Sequence, residues 1–172
     1  MPDRETIKSK LDRELENLIT HYQAMPADDL ARPCTDSEAD DGAAWSAKDH
    51  LAHLAMIERA FQAMIRRGVS GSDNPVGLGG TDRSAIMAKV HKGNEDNVAA
   101  HKDDDLETLI ADLKAARSET LTLLDELTDE QLATTLKGAP WADGTIGGVL
   151  VTNAHHQIQH TAWVQDGLAA SH

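Results

Sequence analysis

TIGGVLVTNAHHQIQHTAWVQ, Thr145–Gln165, carries an apolar stripe at helical spacing and two histidines one helical turn apart. Projected at about 100° per residue, Ile146, Val149, Leu150, Asn153, His156, His160, Trp163 and Val164 share one broad face. His155 points to nearly the opposite side. The segment therefore reads as an amphipathic helix from Thr145 to near Gly167, turning His156 and His160 inward and His155 outward. Imidazoles aimed into an aliphatic core need partners, since an unpaired buried polar group costs roughly 1–3 kcal/mol. A metal ion shared by residues i and i+4 is one solution. Hydrogen bonds within the core are the other.

Working outward, the same periodicity recurs three times. A first helix runs from about Asp3 to Met25, with Ile7, Leu11, Leu15, Leu18 and Tyr22 in one stripe; Pro26 and a polar stretch to Gly42 end it. A second starts at Ser46, which forms a capping-box pair with Asp49, and Trp45 precedes the cap in position for a hydrophobic staple. It continues to about Arg67, with Gly68 as its stop. The loop SGSDNPVGLGG follows, then a weaker helix from Asp82 to about His101. Asp103 to Asp105 place negative charge at the start of a third main helix striped by Leu106, Leu109, Ile110, Leu113, Thr120, Leu124 and Leu127. TDEQLATTL reads as a short helix, and GAPWADG as a turn. No strand pattern and no internal repeat interrupt this. The fold class is all-α: one domain over residues 1–172, a four-helix bundle with short accessory helices.

Composition narrows the function. Hydrophobic residues make up 40% of the chain but aromatics only 3%, so the core is aliphatic. A net charge of −13, with no basic stripe, repels phosphate backbones and argues against nucleic acid. No apolar run reaches bilayer-spanning length, and MPDRETIKSK opens like a helix, so no membrane association and a cytoplasmic location are expected. Cys34 is the single cysteine, set among acids that disfavour its thiolate.

Other candidates surround the histidine pair. On the second helix, Leu54, Ile57, Phe61 and Ile65 define the buried face; His50 falls near its centre and His53 at its edge, so periodicity prefers His50 and spacing leaves the choice open. Glu58 borders that face and is placed to orient a ligand imidazole or to pair in solvent. Asn94 and Asn97 extend the Ile86–Val90 face, toward a cleft or toward solvent. Arg117 lies inward between Leu113 and Leu124, suited to an anionic substrate or to an acidic partner. Asn153 stands one turn before His156, and Trp141 and Trp163 read as packing residues. Gln157 occupies the position where a zinc protease carries its glutamate base, which excludes that chemistry.

Three runs together resemble the DinB-like superfamily: WSAKDHLAHL, LETLIADLKAARSETLTLLDELTDEQL and AHHQIQH, in that order between Trp45 and Gly167. The middle run is similar to the mycothiol-dependent maleylpyruvate isomerase-like branch. The resemblance implies an up-down-down-up bundle and a divalent metal (zinc, nickel or iron) on three ligands. Position by position these are His53, His156 and His160, leaving His50 in the pocket or behind a ligand. It further implies a homodimer and, in some members, a low-molecular-weight thiol cosubstrate. The expected function is metal-dependent activation of a thiol or water toward a small-molecule substrate, as a transferase or isomerase. A non-catalytic, metal-binding, stress-associated dimeric bundle is the alternative.

Overall fold

The computed structural model describes residues 3–37, 39, 42–78, 82–139 and 143–170. In chain order the elements are α1 (Arg4–Gln23), α2 (Ala27–Ala31), β1 (Pro33–Thr35), β2 (Trp45–Ser46), α3 (Ala47–Val69), α4 (Arg83–Ala100), α5 (Leu106–Glu126), α6 (Asp129–Ala133) and α7 (Ile146–Ala170). The four long bundle helices α1, α3, α5 and α7 are those the periodicity indicates. Side-chain caps start them: Asp3 accepts from Thr6 N, Asp105 from Thr108 N, and Thr145 Oγ1 from Gly148 N. Ser46 and Asp49 form the reciprocal capping box on α3.

Cross-helix bonds fix the topology. Arg4, at the start of α1, donates to the Leu124 and Leu127 carbonyls at the end of α5, and Arg117 donates to the Leu11 carbonyl, so α1 and α5 run antiparallel. Arg59 meets Asp112, Gln62 meets Thr120 and Arg66 meets Glu126, so α3 and α5 are parallel. Lys10 reaches His155 along the parallel α1/α7 pair, while His50 reaches His160 across antiparallel α3 and α7. The order is thus up-down-down-up. Parallel α3 and α5 need a return crossover, and α4 supplies it.

Three features depart from the sequence reading. The stretch after Pro26 contains α2 and a strand, and β1 pairs antiparallel with β2, aligning Thr35 with Trp45. Helix α3 passes through Gly68, where an added Cβ would lie 2.2 Å from Leu136 Cδ1; Gly68 allows close packing instead of stopping the helix. The stop is Gly71, at φ 80°, with Ser72 N bonded to Arg67 O and Gly71 N to Gly68 O as in a Schellman cap. Helix α7 likewise continues past Gly167 to Ala170. Gly138 and Gly144 have φ near 77° and 75°, and Trp141 lies outside the described residues.

Two apolar clusters fill the bundle. One, around Ile7, Leu11, Ile65, Leu124 and Leu150, sits where α3 and α5 end; the other, around Leu18, Tyr22, Leu51, Leu113 and Val164, sits where they begin. Between them lies a polar layer: Arg117 and Glu58, each about 2% exposed, with Gln62 bonded to Thr120 and the Ala116 carbonyl. No helix among the described residues is long and apolar enough to cross a membrane.

Candidate metal centre

The histidines gather at the end of the bundle where α3 begins. Antiparallel packing of α3 on α7 brings His53 opposite His156, ring centroids 5.4 Å apart, and 4.9 Å from His160. His53, His156 and His160 each offer one ring nitrogen, all within 4.8 Å of one another. The Nε2 atoms of His156 and His160 are 2.9 Å apart. Two nitrogens bound to one ion at about 2.1 Å stand about 3 Å apart when the bonds are at right angles, so this pair already has a suitable spacing. His53 Nδ1 is buried with no hydrogen-bond partner in the protein, so the ring is not engaged through that atom by any other protein group.

Electrostatics suit the same reading. Burial, reinforced by His156 and His50, pushes His53 down to about 3, and burial alone takes His156 to about 4. His160 is depressed by burial first and then by its three neighbouring imidazoles. The rings are therefore neutral near pH 7, the form that presents a nitrogen lone pair. Such a donor set fits a divalent cation without cancelling its charge.

His50, which the projection preferred, is also buried, and burial pushes it down to about 4. Its Nδ1 lies 2.7 Å from His160 Nδ1, on the side of that ring away from the His156 contact, and its Nε2 lies 2.8 Å from Thr35 Oγ1. Trp45 packs on both α3 histidines, with centroids 5.4 Å from His50 and 5.1 Å from His53. The staple expected of Trp45 thus closes on His50, the fourth helical residue. Trp45 in turn donates Nε1 to Glu95 on α4 at 2.9 Å. Glu95 also lines a cavity of about 730 Å³ between α4 and the segment before β2, with Ser84, Met87, His91 and Lys92.

The other candidates have different surroundings. Glu58 does not orient a histidine: its oxygens accept from Arg117 Nε at 2.6 Å and Nη2 at 3.1 Å. Arg117, so engaged and also bonded to the Leu11 carbonyl, is not offered to an anionic substrate. Asn97 donates to the Ala52 carbonyl at 3.1 Å, docking α4 on α3, and Asn94 is buried. Asn153 is buried one turn before His156, its Nδ2 without a protein partner. Trp163 is 40% exposed and stacks its edge on His160 instead of filling the core. His155 faces outward to Lys10. Sequence reasoning missed Thr35, because only the ribbon brings it to His50. It also missed the burial of Gln157, which sits beside the projected face next to His156.

A sequence model of the DinB superfamily matches residues 11–164. Among solved structures, an uncharacterised protein from Escherichia coli UTI89 aligns with a TM-score of 0.66 at 17% identity, covering 98% of this chain and 94% of that one. At that identity the likeness speaks for the fold alone. No curated protein matches the chain.

Proposed function

The chain belongs to the DinB superfamily, and we propose that it is a metal-dependent enzyme whose His53, His156 and His160 hold one divalent cation. The cluster of three neutral nitrogens within 4.8 Å carries this reading. A cation on three imidazoles supplies Lewis acidity that brings the pKa of a water or thiol toward 7. The chain's own residues do the rest. Trp45 covers the α3 histidines and keeps water off their rings. Half-buried His156 and exposed Trp163 mark the side from which a small molecule enters. The proposed chemistry is transfer or isomerisation with a low-molecular-weight thiol cosubstrate, the activity implied by resemblance to the mycothiol-dependent branch. Zinc, nickel and iron all suit this donor set. A cytoplasmic homodimer belongs to the same proposal, and light scattering of the purified protein reads its mass.

One observation favours a second, non-catalytic reading as a metal-binding, stress-associated bundle. Glu58 is spent on Arg117 and Gln157 does not ionise, so neither provides a general base beside the trio.

Elemental analysis of the purified protein tests the site. Wild type and His155→Ala are expected to retain one metal ion per chain, and His156→Ala to lose it. Equal metal content in wild type and His156→Ala would sink the site. Turnover of electrophiles with a panel of thiols then separates the two readings: none in the metal-loaded protein leaves the non-catalytic one.

A further inference from the structure

Proton bookkeeping along one hydrogen-bonded row gives Thr35 and His50 a task. The row runs Thr35 Oγ1, His50 Nε2 at 2.8 Å, His50 Nδ1 to His160 Nδ1 at 2.7 Å, then His160 Nε2 to His156 Nε2 at 2.9 Å. A neutral imidazole carries one proton, so it donates at one nitrogen and accepts at the other. The row therefore has two directions. In one, Thr35 donates to His50, His50 Nδ1–H donates to His160, and His160 Nε2–H points at His156. In the other, every bond is reversed, and His50 Nε2–H donates to Thr35. Only when His160 carries its proton on Nδ1 is its Nε2 lone pair free for a cation. His50 must then accept at Nδ1, and Thr35 must accept from His50 Nε2–H. Each ring stays neutral throughout.

We propose that Thr35 and His50 are positioning residues: they hold His160 in the Nδ1–H tautomer and fix its ring so that Nε2 faces the metal centre. The inference rests on the metal-centre reading above. Hydrogen bonds behind ligand histidines set tautomer and orientation in this way. Several features make the row a built one. Both ends of His50 are engaged, its ring is clamped by Trp45, and Thr35 is held by β1–β2 pairing opposite Trp45 itself. Strand β1 is seated on α7 where Gly167 leaves room for the Cys34 carbonyl, and an added Cβ there would lie 1.8 Å from that oxygen.

Metal-depleted protein is titrated with zinc against a chromophoric chelator, and side-chain tautomers are read from long-range 1H–15N spectra. His50→Phe, which keeps a ring but no acceptor, is expected to weaken zinc binding 10–100-fold. Thr35→Val weakens it by a smaller factor, and His50→Asn, whose Oδ1 can accept near the Nδ1 position, restores most of the affinity. In zinc-loaded wild type, His160 carries its proton on Nδ1 and His50 on Nε2. Wild-type affinity in folded His50→Phe and Thr35→Val, or a loaded His50 protonated on Nδ1, overturns the relay and leaves the metal centre standing. Failure of the wild type to bind zinc, nickel or iron overturns both.

Discussion

Arg117 heads the fully buried side chains of the described residues by volume, and all three of its guanidinium nitrogens are spent on Glu58 and the Leu11 carbonyl. Breaking such a pair strands a charge in the core, at a cost of about 3–5 kcal/mol. Glu58→Ala is therefore expected to lower stability by that amount in urea denaturation, while Glu58→Met with Arg117→Leu recovers most of it. A loss below about 1 kcal/mol, the range of a surface pair, would contradict the buried clamp. Either result bears on function, because a clamped Arg117 cannot receive an anionic substrate. The inward direction of Arg117 was legible in its spacing; its partner was not, because periodicity places a residue on a face without saying what stands across from it. The same limit governed His50 and His53. Both face the bundle, and only contacts between helices over a hundred residues apart in sequence bring His53 to His156 and His160, and His50 to the other side of His160.

At the scale of elements, the long helices were legible because stripes of 20 residues or more, with caps, leave few alternatives. The β1–β2 ribbon was not. Pro33–Thr35 and Trp45–Ser46 are too short to show alternation, and tertiary docking on α7 holds them. That docking yields a prediction with an internal control. Gly167→Ala must push β1 away from α7, so it is expected to lower the thermal midpoint and to weaken zinc binding in the same direction as Thr35→Val. Gly93, inside α4, has nothing within 4 Å of an added Cβ. Gly93→Ala is expected to raise stability by about 0.5–1 kcal/mol through helix propensity and to leave zinc binding unchanged. Calorimetry beside the chelator titration checks both. A Gly167→Ala protein matching wild type in both measurements would show that β1 does not depend on that contact.

Taken whole, the molecule places four depressed imidazoles in one end of an acidic bundle, and this sets how its stability depends on pH. In the unfolded chain a histidine titrates near pH 6.5. In the folded, metal-free protein, burial holds His50 and His156 at about 4 and His53 at about 3, and lowers His160 as well. Between these values the unfolded state binds more protons than the folded one, so stability rises with pH across the window. The contribution is complete above about pH 6.5 and drains away as pH falls toward 4. Ordinary carboxylates, despite the net charge of −13, titrate mostly below pH 5, so between pH 6.5 and 5 the histidines dominate. Chelator-treated protein is expected to hold a constant midpoint from pH 8 to 7 and to lose stability steadily from 6.5 to 5. A variant with His53 and His156 both replaced by Asn should show a shallower fall, since two of the titrating groups are gone. Metal steepens the wild-type curve, because protons then compete with the ion as well as with the fold. An unchanged midpoint from pH 7 to 5 in chelated wild type would mean that the imidazoles are charged or solvated in the folded bundle, and a buried neutral cluster would then be ruled out.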